Sequence, residues 1–271
     1  MKLFVFLLLA ELSISTFGEI KMKLFVFLLA ELSISTFGAK LPYYMRRCDL
    51  KDPKLNQCIR NHGNQAIPIL VRGDSSLGIS RLSPVITAKA RFNGKRFNLT
   101  LSDIFFDNFK DMRIIDTNLD VRTGKYNFSI GCPYLTFNSS YILKDSQILT
   151  KTLSGNGRFE MKLADNMMRY SGDLIVRKIG GKNYLKSTNT VLKLESKRMQ
   201  FRFKNVQSTK PGNEDFIAFL QENWKVIHKK INPNVTEFLK SRIDSVFAAV
   251  ENNVVIEDIF INSHILTKHF M

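Results

Sequence analysis

The residue types that most often carry chemistry are thinly spread along this chain. The four histidines, His62, His228, His264 and His269, share no metal-ligand spacing. No Gly-x-Ser-x-Gly elbow and no His-Glu-x-x-His motif occurs. Asp103 and Asp107 are a carboxylate pair, but they fall around a strand end and turn, where aspartate serves backbone geometry. Gly155-Asn-Gly157 is followed by neither a helix nor a Gly-Lys-Ser/Thr, so it reads as a turn and not as a phosphate loop. His228 lies one residue past an apolar helical stripe and is expected at the surface. No catalytic residue, metal site or cofactor is expected from these patterns.

The N-terminus is written twice. Residues 1–18 read MKLFVFLLLAELSISTFG, and residues 22–38 repeat them with one leucine removed. Each copy has a lysine after Met, a short apolar run and small residues at the −3 and −1 positions, Thr36 and Gly38 in the second. This is a secretory signal peptide, duplicated. Neither run reaches the ~20 residues of a membrane span, and Glu11 and Glu31 interrupt them. The expectation is a leader over 1–38, a single mature domain over 39–271, and an extracellular protein.

Secretion gives other residues a meaning. Asn98, Asn127, Asn138 and Asn234 each open an Asn-x-Ser/Thr sequon and become acceptors for glycans. Cys48 and Cys58, around Asp52-Pro53, are near enough in sequence to close a small loop, which would stabilise the chain by ~2–3 kcal/mol. Cys132 is left over, either as a buried thiol or as an intermolecular link.

These residues must be positioned by a sizeable core. The chain has 271 residues, 44% of them hydrophobic and 24% charged, with 22 phenylalanines, which excludes disordered and collagen-like classes. At roughly 150 residues per domain, it can form one domain or two. The net charge is +16, and the leader's three lysines and three glutamates leave that value unchanged on removal. Because the lysines are dispersed, the reading is a solvated basic surface with weak contact to anionic membrane and no nucleic-acid partner.

Residues 86–92, 97–105, 114–121, 126–130, 158–163, 174–179, 184–194 and 199–206 read as strands, with Asn93-Gly94 as a hairpin signal. The short connections predict an antiparallel meander. After Pro211-Gly212-Asn213 the pattern changes. Apolar residues recur in steps of three or four from Phe216 through Leu220, Trp224, Ile227 and Ile231 to Val250. That is the stripe of one long amphipathic helix, kinked at Pro233. A helix near ~50 Å long cannot lie across a flat sheet of a small domain, so the sheet must curl around it.

Several segments then carry a resemblance. Leu41-Pro42, Cys48 and the run from Asp52-Pro53 to Cys58-Ile59 form one group. Gly78-Ile79, Leu82-Ser83-Pro84 and the stretch from Tyr141 to Gly157 form another. The most specific is Phe219-Leu-Gln-Glu-Asn-Trp224, continuing to Ile231-Asn-Pro233. Over residues 40–260 the chain resembles the takeout and haemolymph juvenile-hormone-binding proteins of insects. The resemblance implies an α+β fold, a strongly curved antiparallel β-sheet wrapped around one long C-terminal α-helix, similar to a single half of the bactericidal/permeability-increasing lipid-binding fold. It implies a disulfide between Cys48 and Cys58 and a hydrophobic ligand held in an internal tunnel. Physiological settings such as feeding and circadian output follow from the family alone. Residues 261–271 look like an extra tail.

The expected protein is thus a secreted, monomeric carrier of a small hydrophobic ligand such as a juvenile hormone, a fatty acid or a related terpenoid. Phe216, Leu220, Trp224 and Ile227 would line part of its tunnel. The alternative is a basic surface-interaction protein with a filled interior, bound to anionic lipid or a microbial envelope.

Overall fold

Three strands of 23 to 29 residues dominate the computed structural model. It describes residues 40–94, 97–148, 151–204 and 213–270, and side chains for all of these except 88, 92–94, 97, 147–148, 151–153, 203–204 and 213–217. The doubled leader and the segment from Gln207 to Gly212 lie outside the described residues.

The chain runs as β1 (Cys48–Asp49), α1 (Leu55–Leu70), β2 (Val85–Gly94), β3 (Phe97–Asp107) and β4 (Arg113–Leu119). The long strands β5 (Lys125–Ile148), β6 (Lys151–Ile179) and β7 (Lys182–Lys204) follow. Then come α2 (Asn213–Glu222), α3 (Trp224–Asn253), the short α4 (Ile256–Ile259), β8 (Phe260–Ile261) and α5 (His264–Phe270). The main sheet is wholly antiparallel in the order β2-β3-β5-β6-β7, and β4 joins it by pairing with β5. One edge of β5 is therefore shared, β4 pairing along residues 126–131 and β3 along residues 136–144.

The strand boundaries differ from those expected. The expected segments 158–163 and 174–179 are parts of the single strand β6, and 184–194 and 199–204 fall on β7, with 205–206 outside the described residues. Gly155-Asn-Gly157 is not a turn; these residues pair with Leu143, Ile142 and Tyr141 inside the ladder. Asn93 and Gly94, expected in the turn, pair with Asn98 and Phe97 within the β2–β3 ladder.

A straight strand of 29 residues would stretch about 95 Å. Bulges let these strands bend instead. Register shifts fall between Ser102 and Phe105, between Leu143 and Ser146, and between Ser171 and Asp173. At or opposite each lies a residue with positive φ: Asp103 (50°), Asp145 (39°) and Asn189 (52°). Asp and Asn tolerate this left-handed conformation better than other side chains, and a bulge both bends a strand and increases its twist. Asp103 is thus a bulge residue within β3 and not a turn residue, while Asp107, the last residue of β3, accepts a hydrogen bond from the Ser83 hydroxyl.

The helical stripe folds as expected in kind, but it is broken elsewhere. The interruption between α2 and α3 falls at Asn223. Its side-chain amide donates to the Phe219 carbonyl at 2.8 Å, and its own carbonyl accepts from Val226 and Ile227. Pro233 lies inside α3, which continues through it to Asn253. Asparagine competes with the helical backbone through its own amide, so the stripe expected as one helix is divided at Asn223.

One apolar core joins the two helical layers to the sheet. Leu55 of α1, Leu135, Leu163, Met168, Tyr170 and Met199 of the sheet, and Leu220 and Leu239 of α2 and α3 belong to a single buried cluster. α1 packs over β4 and α3 packs over β7, although β5 and β6 lie between those strands. A sheet that presents both edges to one core is curved around it. The C-terminal segment is part of that core, since Leu266 of α5 is fully buried and Ile265 and Phe270 pack against the cluster. The segment expected as an extra tail is thus packed against the domain.

Candidate functional site

The site begins with how α1 is held. Asp52 accepts the Lys54 amide at 2.8 Å, and the Leu55 amide closes the first turn on the Asp52 carbonyl. Asn56 and Asn64 then point from α1 to the free edge of β4. Asn64 donates to the Ile114 carbonyl at 2.9 Å and accepts the Ile114 amide at 2.7 Å, while Asn56 accepts the Leu119 amide at 2.8 Å. Side chains eight residues apart share a helix face, so two asparagines satisfy an edge that would otherwise be unpaired. The approach is close: a Cβ on Gly63 would lie 2.5 Å from Ile114 Cδ1.

Between α1, the sheet and α3 is a cavity of about 360 Å³. The helix side is formed by Leu239, Ile243, Val246, Phe247 and Val250, and the sheet side by Leu119, Phe128, Ile130, Met168 and Leu185. Ile59, Ala66 and Ile67 of α1 complete the wall, and Phe260 of β8 closes it on one side. The size lies within the ~300–1,000 Å³ typical of small-molecule sites.

Few polar groups reach this wall. Glu251 is buried, and its carboxylate accepts the Ser187 amide at 2.9 Å. Tyr170 donates to Asp244 at 2.7 Å, and Asp244 also pairs with Lys240 at 2.6 Å. Burial first, and then the Asp244 carboxylate, push the Tyr170 hydroxyl well above its usual range. Burial also raises Tyr126, whose ring stacks on Phe247. Arg46, His62 and Arg242 are the remaining polar residues of the lining.

Cys48 and Cys58 form the disulfide that the family resemblance implied, with a Cα–Cα distance of 5.9 Å. His62 Nδ1 lies 3.5 Å from each sulfur. These three residues are the one cluster with metal-ligand proximity among the described residues, but sulfurs bonded to each other offer no thiolate. Cys132 is a buried free thiol, pushed up to about 12 by burial, and it donates to the Tyr134 carbonyl at 3.1 Å.

The residues singled out on the helical stripe lie apart from the cavity wall. Leu220 is buried, and Trp224 and Ile227 are half-buried against the main core; none of the three is among the lining residues. The side chain of Phe216 lies outside the described residues. The helix residues that do line the cavity begin at Leu239, about three turns past Ile227 and beyond Pro233. The same three-to-four spacing marks both sets, so periodicity could not separate them. His228 is half-buried, not exposed: its ring meets Trp224 edge-on, its Nε2 is buried without a hydrogen-bond partner, and burial lowers its pKa. Of the sequon residues, Asn98, Asn127 and Asn234 are exposed and Asn138 is partly so.

The family profile described as haemolymph juvenile hormone binding protein matches residues 24–261. The chain belongs to that family, and so is a binding protein and not an enzyme. Its fold is that of the crystal structure of Epiphyas postvittana Takeout 1, with a TM-score of 0.70 at 19% identity over 80% of this chain and 99% of that one. A fainter likeness to lipopolysaccharide binding protein covers 69% of this chain and 36% of the other, at 12% identity and a TM-score of 0.39. No significant relative is found among curated protein sequences.

Proposed function

We propose that the mature domain, residues 39–271, is a secreted monomeric carrier that holds one small hydrophobic ligand in the cavity between α1 and α3. The observation that carries this reading is the cavity itself, about 360 Å³ with a wall made almost entirely of aliphatic and aromatic side chains. A void of this size forfeits packing along its whole lining, which a fold of this kind sustains when a ligand restores the contacts. The disulfide fits an extracellular setting. So does the absence of any helix long and apolar enough to cross a membrane among the described residues. In this reading residues 1–38 are the leader, and Asn98, Asn127, Asn138 and Asn234 carry the glycans.

A magnitude bounds the ligand. Burying twelve methylenes gains about 10 kcal/mol, and association costs at least ~4 kcal/mol. The remainder corresponds to ~10⁻⁵ M, so tight binding needs a longer chain or a polar contact. A longer ligand would reach along the core past Leu239 toward Phe216, Leu220, Trp224 and Ile227. Trp224→Ala that leaves affinity unchanged in a stably folded protein takes Trp224 out of the site.

The deciding experiment is native mass spectrometry of protein secreted from eukaryotic cells, with solvent extraction of whatever co-purifies. One apolar molecule per chain is the expected result. A ligand-free mass, unchanged by long-chain lipids and terpenoids, would overturn the carrier reading.

A further inference from the structure

We propose that the cavity is matched to an acidic lipid, a hydrocarbon chain ending in a carboxylate, and that Arg242 receives the carboxylate. The proposal rests on the carrier reading and assigns its specificity.

The observation is an unanswered charge in an apolar wall. Arg242 lines the cavity together with its α3 neighbours Leu239, Ile243 and Val246. The guanidinium lies over the Phe238 ring, 5.2 Å from its centre, which fixes its plane. Its Nε is fully buried and has no hydrogen-bond acceptor. Among the described residues no carboxylate comes within ion-pair distance of it. Of the three acids of the same helix, Asp244 is engaged with Lys240 and Tyr170, Glu251 accepts the Ser187 amide, and Glu237 is exposed to solvent and forms no ion pair with Arg242.

A guanidinium carries five donors and no acceptor, and it does not lose its charge in a protein. Arg242 is half-buried, but its Nε is cut off from water, and leaving that donor unpaired is unfavourable; a ligand that brings an anion to it completes the site. A carboxylate matches the planar fork with two parallel hydrogen bonds, whereas an alcohol, ester or epoxide offers a neutral acceptor and a weaker contact. Arg46 also borders the cavity, but it is exposed to solvent. Glu251 stands nine residues further along α3, about 13 Å at 1.5 Å per residue, with its carboxylate turned to β7.

The test compares two probes of equal chain length, oleate and oleyl alcohol, on the delipidated secreted protein at mildly alkaline pH. Oleate is expected to bind about tenfold or more tightly than the alcohol, the usual margin of a charge-assisted bidentate contact. Arg242→Gln is expected to abolish that margin by lowering oleate affinity far more than alcohol affinity, and a cooperative thermal melt of the variant shows that it folds. A second measurement needs no variant: the carboxyl of carbon-13-labelled oleate, titrated in the wild-type complex, is expected to stay ionised to lower pH than in free lipid. Equal or tighter binding of the alcohol, a margin that survives in Arg242→Gln, or an unshifted carboxyl titration overturns the assignment and leaves the carrier reading intact. Binding of neither probe overturns both.

Discussion

Two single residues show how little freedom the packed sheet has. Gly172 sits directly across from Tyr126 in the β5–β6 ladder, and a Cβ there would lie 2.7 Å from the Tyr126 hydroxyl and 2.9 Å from the Thr188 carbonyl. Gly172→Ala is expected to destabilise the protein by about 1–3 kcal/mol, as overpacking of a rigid core does; urea unfolding measures it. Cys132, with its thiol pushed up to about 12, is expected to resist alkylation in the native protein and to react fully once the chain is denatured. The titrating groups separate into two pH windows. Burial lowers His228 from its ordinary 6.5, so the unfolded chain takes up that proton first; stability is full above 6.5 and declines as the pH falls toward the folded value. Asp49 is held below its ordinary 3.8, chiefly by the Asn262 side chain, so its contribution is present above 3.8 and is lost on acidifying through the folded value. Thermal melts between neutral and acid pH are expected to show the two steps, and His228→Gln to remove the upper one.

At the scale of elements, the disulfide joins β1 to α1, the helix whose two asparagines seal the edge of β4. Reduction is expected to lower stability by ~2–3 kcal/mol in the chain-entropy description, measured as the shift in melting temperature with and without reductant. The strand and helix periodicities were legible in the sequence because each is a local pattern. The lengths were not. Gly155-Asn-Gly157 and the mid-strand Asp103, Asp145 and Asn189 are turn-formers by type, and only pairing across the sheet turns them into ladder and bulge residues. Asn223 was equally inconspicuous, since an asparagine in a helical stripe looks tolerable until its amide captures the Phe219 carbonyl. The stripe likewise identified a buried face of α2 and α3 without showing which part of it faces empty space. That depends on what the sheet and α1 place opposite each turn.

At the scale of the mature domain, the net charge of +16 is carried on a surface whose ion pairs on β6 and β7, Arg169–Glu195, Arg198–Asp165 and Arg202–Glu160, are all solvent-accessible. Such pairs contribute little and leave most of the basic charge unneutralised. Weak adsorption to anionic vesicles is therefore expected, and it should vanish in molar salt, where screening acts within ~3 Å. Vesicle sedimentation across a salt series checks this. Adsorption that withstood molar salt would mean apolar insertion instead.

β1 and β8 pair in parallel, Cys48 beside Phe260 and Asp49 beside Ile261, and Asn262 adds a bond to Asp49 at 2.7 Å. The two halves of this clasp are separated by nearly the whole domain, and Phe260 is also a wall of the cavity. During synthesis the sheet can zip from β2 to β7 while the C-terminal strand is still in the ribosome. The clasp cannot close until Ile261 has emerged. The Phe260 side of the cavity is therefore the last part of the wall to be fixed, after the sheet and both long helices are in place.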